Sequence, residues 1–226
     1  IMPSLVGSEM CIRDRGIINF HWSLLPAYRG RNATFWPIYF GEKFSGVTYH
    51  FINQEIDKGE IIIQEHVKIS EQDDNESLAC KLLEKGKQLL QPLILKIASD
   101  NIPTTPISVN GQYYSAVDFK KIAFFDPSKD IKDNLRRFKA LGELPIHFEN
   151  CLTLYITGMY EDRKLKENSK IASLKTSSII EISLKGVAVK VCNGVIRITS
   201  MNYLPAYLIA KLKKLKKGMV IIKQNQ

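Results

Sequence analysis

The sequence is poor in cysteine: Cys11, Cys80, Cys151 and Cys192 lie far apart, and none forms a CxxC pair. That spacing argues against a disulfide framework or a thiolate zinc site and points to a reducing, cytoplasmic setting. No run approaches the roughly 18–20 apolar residues that a membrane span requires, so no transmembrane helix is read. There is no Gly-rich phosphate loop, no Walker motif, no GxGxxG fingerprint and no internal repeat. What remains is an ordinary globular composition, 45% hydrophobic and 24% charged over 226 residues. Such a chain can bury a core without covalent staples and suits one large domain or two modest ones.

Charge is unevenly placed. Residues 1–105 hold 11 Lys/Arg against 13 Asp/Glu, a balance of −2, and residues 106–226 hold 21 against 10, a balance of +11. The whole excess of +9 therefore belongs to the second half. Clustered Lys and Arg are the footprint of a polyanionic partner, because they release counterions from phosphates. The alternative is a lysine-rich surface with no partner.

The first fifteen residues have neither strand nor helix periodicity and lack the apolar core of a signal peptide. They are expected to be a non-native leader. From Gly16 onward the pattern sharpens. Ile17–His21 reads as a short strand, and Gly46–Phe51 and Glu60–Ile69 as longer ones. A helix is expected between Asp74 and Ser99, with Leu78, Leu82, Leu89, Leu93 and Ile97 on one face and a kink or break at Pro92. The proline-containing stretch 100–110 reads as a linker, which divides the chain into 16–105 and 106–226. Beyond it, a helix is expected over 128–141, capped by Ser128 and ended by Gly142. Short strands follow at 152–157, 178–183, 187–192 and 195–199. Asn193-Gly194 is the signal for a type I′ hairpin turn, and the whole suggests a small antiparallel barrel. Residues 160–170 are polar and lysine-rich and read as a mobile loop.

Chemistry concentrates between Asn19 and Glu60. Asn19 and His21 lie two apart at a strand end, so both side chains project from one face. An amide beside an imidazole suits a carbonyl that must become an oxyanion. Asp57, in the turn Ile56-Asp57-Lys58-Gly59-Glu60, could hold that imidazole and favour its protonated form. Each residue alone is equally a cap, a satisfied core histidine or a turn former. Their combination carries the weight.

The strings NFHWSLLPAYRG and GEKFSGVTYHFINQEIDKGEII resemble the active-site signature of the folate-dependent formyltransferases. That signature is Asn-x-His, Ser-Leu-Leu-Pro-x-Tyr-Arg-Gly, Gly-Val-Thr-x-His and Asp-x-Gly-x-Ile, here in order and at matching spacing. The resemblance implies an α/β fold, with residues 16–105 the C-terminal part of a Rossmann-like catalytic domain. Residues 106–226 would form a β-rich, barrel-like (OB-like) domain. It further implies transfer of a formyl group from 10-formyltetrahydrofolate to an amine, without a metal. Asn19 and His21 would stabilise the tetrahedral oxyanion, while Asp57 would orient His21 and help relay a proton to the folate nitrogen. Asn53, Gln54, Glu55, Ile56 and Asp57 would line the pterin pocket, and Arg29 would lie on the acceptor side.

The resemblance leaves the acceptor open. The turn Arg31–Trp36, together with His50, leans toward enzymes that formylate sugar nucleotides or peptide-synthetase substrates. The basic second half leans toward methionyl-tRNA, with Lys213, Lys214, Lys216 and Lys217 following the RNA backbone. Initiator methionyl-tRNA is the expected acceptor and a monomer the expected state. A sugar-nucleotide or peptide-synthetase-type amine is the alternative within the class. An inactive fragment that keeps an RNA-binding domain is the alternative outside it. The βα units that precede Asn-x-His in the family are not read here, so the chain as written is expected not to turn over.

Overall fold

The computed structural model describes residues 16–98, 102–107, 111–167, 171 and 173–222. The expected leader, the end of the 160–170 loop and Lys223 lie outside these residues. The chain divides into two compact units at Ala116/Val117, later than the expected boundary at 105/106. The reason is backbone pairing. Thr105 exchanges two 2.8 Å hydrogen bonds with Ile61, and Gln112 and Tyr114 accept from the N–H groups of Arg29 and Arg31. These bonds hold the proline-containing stretch against the first unit.

In the first unit β1 (Ile18–His21), β3 (Phe44–Phe51) and β4 (Ile61–Lys68) form one sheet in the order β1-β3-β4. The expected strands are present, but both pairings are antiparallel. The parallel pair here is the two-residue β2 (Arg29–Gly30) with β5 (Tyr113–Tyr114). One helix, Asn75–Ile97, crosses the sheet. Asp74 caps it by accepting from Ser77 N, and the Ser77 side chain reciprocates, satisfying two orphan donors of the first turn. Leu78, Leu82, Leu89 and Leu93 are buried as the periodicity predicts. Of the kink or break expected at Pro92, the break is absent and the helix runs through the proline. Leu89 and Leu93 anchor both sides of the proline, so packing offsets the missing N–H. Gly86 is buried in the same helix because a Cβ there would lie 2.4 Å from the Phe20 ring. Phe20 and Tyr49 thereby meet the helix, and Tyr49 Oη donates to Gly86 O at 3.1 Å. Side-chain alternation then puts Asn19 and His21 on the other face.

The second unit is an antiparallel sheet with the path β12-β6-β7-β10-β9-β8. These are β12 (Ile221–Ile222), β6 (Leu144–Phe148), β7 (Thr153–Glu161), β10 (Gly194–Met201), β9 (Gly186–Val191) and β8 (Ile179–Ser183), with the two-residue β11 (Leu204–Pro205) paired to β10 off this path. A Ser178–Val220 bridge joins the two ends of that path, so the sheet closes on itself. Val187, Val189, Val191, Ile196 and Ile198 fill its interior. β6 escaped the sequence reading because Pro145 demotes a strand.

Two local expectations need correcting. The helix is Ile131–Leu141 with Asp130 as its cap; Ser128 is instead held by the Asp126 carboxylate through both N and Oγ. The β9–β10 hairpin exists, but Val191 pairs with Gly194, so Cys192 and Asn193 form the loop. Neither Asn193 nor Gly194 has a positive φ. Asn193 Oδ1 accepts from Ile131 N at 2.9 Å, a tertiary bond that overrides the local turn preference.

Candidate active site

Three pieces of chain build the site. β1 carries Asn19 and His21, whose register partners on β3 are His50 and Thr48. Directly opposed residues of an antiparallel pair share a face, so these four side chains form one polar patch. A one-residue slip would turn all of them to the helix side. A register shift between Tyr49 and His50 in the β3–β4 pairing marks a bulge beside this patch. The turn 52–60 then folds back and delivers Asp57, which sits at φ 51°. Gly59 permits that return, since a Cβ there would lie 1.6 Å from the Phe51 carbonyl oxygen.

The segment after β1 is tied down from beneath. Thr48, fully buried, donates from Oγ1 to Ser23 O at 2.6 Å and accepts from Leu25 N and Gln64 Nε2. Gln64 also donates to Leu25 O, and Ser23 Oγ to Ala27 O. The Leu25–Pro26 bond is cis. These contacts give physical content to the spacing of the Ser-Leu-Leu-Pro and Gly-Val-Thr strings.

The Asp57 carboxylate is the hub. Gly30 N donates to its Oδ2 at 2.8 Å, and His21 Nδ1 lies 3.6 Å from the same oxygen. Asn19 Nδ2 donates to Oδ1 at 3.4 Å, and His50 Nε2 stands 3.6 Å from Oδ1. Burial alone would raise the Asp57 pKa; its contacts with His50, His21 and Gly30 N outweigh burial and hold the carboxyl below its ordinary range. His21 is 6% exposed, and its Nε2 donates to Tyr28 O at 3.0 Å. Burial pushes this imidazole below its ordinary value of 6.5, and Asp57 only partly offsets the shift. His21 is thus neutral at pH 7, in the form that can accept a proton.

A pH prediction follows from that shift. In the window below 6.5 the unfolded chain binds a proton at His21 that the folded chain refuses, so stability rises with pH there. Acidification through this window should therefore lower Tm, and His21→Gln should flatten the dependence. Thermal denaturation of both proteins between about pH 5 and 7.5 checks it.

Asn19, His21 and Asp57 are brought together. Their convergence does not use the C-terminal ends of parallel strands; it comes from an antiparallel register and a returning turn. Asn53, Gln54, Glu55 and Ile56 are exposed on that turn, Ile56 at 59%. Asn53 Oδ1 accepts from Glu55 N, and Lys58 pairs with Glu55. Arg29 stands apart from the trio: its Nη2 donates to Gly111 O at 2.7 Å. Lys213, Lys214, Lys216 and Lys217 are exposed in the second unit around the buried Leu215. Sequence reading took His50, 1% exposed, only as a pointer to the acceptor class, and assigned no role to the Gly30 N–H. The signal for His50 was its place two residues after Thr48. His21 also lines a cavity of about 360 Å³ with Trp22, Gly30, Asn32, Ala33, Thr34 and Ala79. Among the described residues no cluster of His, Cys, Asp and Glu could hold a metal ion.

Comparison with known proteins gives the same assignment as the motif. Residues 5–94 match the family model described as formyl transferase. This segment is similar to the formyl transferase family. The chain is 28% identical over 211 residues to the methionyl-tRNA formyltransferase of Clostridium tetani, covering 91% of this chain and 67% of the relative. It is 36% identical over 91 residues to the GDP-perosamine N-formyltransferase of Brucella melitensis, covering 40% of this chain and 35% of that one. A crystal structure of an N-formyltransferase from Helicobacter canadensis, complexed with folinic acid and dTDP-3-aminofucose, superposes with a TM-score of 0.59. At 22% identity, over 80% of this chain and 65% of the other, that likeness shows a shared fold. Against the methionyl-tRNA formyltransferases it matches over most of its own length, the chain spans between 52% and 67% of theirs.

Gly59 gives a test of how the site is held. Gly59→Ala should cost roughly 2–3 kcal/mol, as for other overpacked positions, because the intruding Cβ meets backbone. Asp57 should be displaced with the turn. Chemical denaturation measures the first effect, and loss of the Gly30 amide's Asp57-dependent NMR shift reports the second.

Proposed function

We propose that these residues belong to an N-formyltransferase that moves a formyl group from 10-formyltetrahydrofolate to an amine. The observation that carries this is the meeting of Asn19, His21, Asp57 and the Gly30 N–H on one face. In the reaction the acceptor nitrogen bonds to the formyl carbon, and the bond from that carbon to the folate nitrogen breaks. The proton lost by the amine ends on the folate nitrogen. A neutral imidazole beside a carboxylate can take that proton and return it. The turn 53–57, exposed from Asn53 to Ile56, is the wall offered to the pterin, with Ile56 as its apolar member. In this reading the first unit is part of a Rossmann-like catalytic domain and the closed antiparallel sheet of the second is its OB-like companion.

Methionyl-tRNA is the favoured acceptor. The Clostridium tetani relative aligns along both units, and the four exposed lysines lie in the second. A cavity in that unit lined by Lys132, Arg136 and Lys139 adds cationic surface. A sugar-nucleotide amine is the second reading, favoured by the Brucella relative over 91 residues. Competition decides between them. With both acceptors present and the donor limiting, the catalytically active protein should formylate methionyl-tRNA; formylation of the amino sugar alone would reverse the choice.

A further inference from the structure

We propose that Tyr203 is a stacking platform that holds an unpaired base of an RNA partner. The inference rests on the reading of the second unit as an RNA-binding one. It adds to that reading a contact that takes a base where the lysines take phosphates.

β10 and β11 are joined by a two-residue loop, since Met201 pairs with Leu204. The loop residues Asn202 and Tyr203 have φ of 48° and 61°. That is a type I′ turn, whose second position favours glycine because a side chain is strained there. Tyr203 takes the strain and receives no burial in return, for it is 80% exposed. The residue is nevertheless held in place. Asn202 N donates to Tyr155 O, and Tyr155 N to Asn202 Oδ1, both at 2.8 Å. Tyr203 N donates to Thr157 Oγ1 at 3.2 Å, and its hydroxyl to Glu143 Oε2 at 3.1 Å. A strained residue fixed by its surroundings and offered to solvent points to a ligand rather than to the core. Tyr155 and Leu204, each 45% exposed, add apolar surface beside the turn.

Charge identifies the occupant. β11 runs directly into the helix Ala206–Leu212, and the exposed Lys213, Lys214, Lys216 and Lys217 follow it. That seven-residue helix is roughly 10 Å long, so ring and lysines fall within reach of one short stretch of polynucleotide. An apolar protein surface would gain nothing from the lysines. A nucleic acid uses both features, with phosphates along the lysines and a base flat on the ring. Glu143 pushes the Tyr203 pKa up, which keeps the phenol uncharged beside a phosphate chain. Stacking requires a free base face, so the platform selects single-stranded segments, such as the loops of a transfer RNA, over duplex.

Tyr203→Gly tests this with two readouts that should move apart. Glycine suits the turn, so the thermal transition should hold or rise. Affinity of the whole protein for a single-stranded RNA of about ten nucleotides should fall roughly 5- to 100-fold, the range for one lost stacked base. The slope of log K against log salt should not change, because the ring neutralises no phosphate. Tyr203→Phe and Tyr203→Trp, which keep an aromatic face, should retain most of the affinity. A fully paired RNA should bind the parent and Tyr203→Gly alike. Equal affinity of parent and Tyr203→Gly for the single strand, with a salt slope that still depends on the lysines, would overturn the platform and leave the RNA reading standing. No binding by either protein at low salt would remove both. Sedimentation gives the last control: a dimeric parent and a monomeric Tyr203→Gly protein would make this patch a contact between copies and overturn the proposal.

Discussion

His21→Ala and Asp57→Asn should each lower kcat for formyl transfer by roughly 10²-fold or more, the usual scale for losing an acid–base or charge-stabilising group. The two should fail differently. His21→Ala removes the imidazole and leaves Asp57 held by Gly30 N and Asn19, so the turn proposed to meet the donor keeps its place and donor affinity should survive. Asp57→Asn removes the charge that partly sustains His21 protonation, so His21 should titrate still lower than in the parent. The acid limb of the pH–rate profile should move to lower pH as kcat falls. Single-turnover rates with saturating donor separate chemistry from binding. Both variants within about twofold of the parent would remove the assignment.

The second large effect belongs to the lysines. Lys213, Lys214, Lys216 and Lys217 surround one buried anchor, Leu215, and all four side chains reach solvent. If each contacts one phosphate of methionyl-tRNA, replacing all four with Ala should flatten the slope of log K against log salt by up to about four units. Affinity at low salt should fall by orders of magnitude. Leu215 and its packing are untouched, so the thermal transition should barely move. A sugar nucleotide held near the trio would be indifferent to these substitutions. Titrating the whole protein with tRNA at several salt concentrations reads both slope and affinity. An unchanged slope would end the assignment of these four lysines to RNA and leave the chemistry of the trio standing.

Much of the site was legible because its chemistry is local. Asn19 and His21 are two apart on a strand, and Asp57 sits in a turn that its neighbour Gly59 announces. What was not legible depends on pairing. His50 reaches the site only through the β1–β3 register, and nothing in a single strand states its partner. Thr48 likewise gains its role from carbonyl and amide groups 23 to 25 residues away. The direction of strand pairing was invisible for the same reason. Elsewhere tertiary contacts outvoted local preference. The long helix continues through Pro92 because leucines on both sides are buried, and the Cys192-Asn193 loop adopts a shape set by Ile131. The linker estimate erred because the stretch that looked like a boundary spends its backbone hydrogen bonds on Ile61 and on the segment 29–31. Arg29 looked like an acceptor contact from its motif, yet its guanidinium meets the Gly111 carbonyl.

The most direct test of the account is the stoichiometry of transfer in the catalytically active protein. With 10-formyltetrahydrofolate and an acceptor amine, tetrahydrofolate should appear one-for-one with formylated amine, and both should vanish in His21→Ala while donor binding persists. Folate release without a formylated product, or equal transfer by parent and His21→Ala, would contradict it.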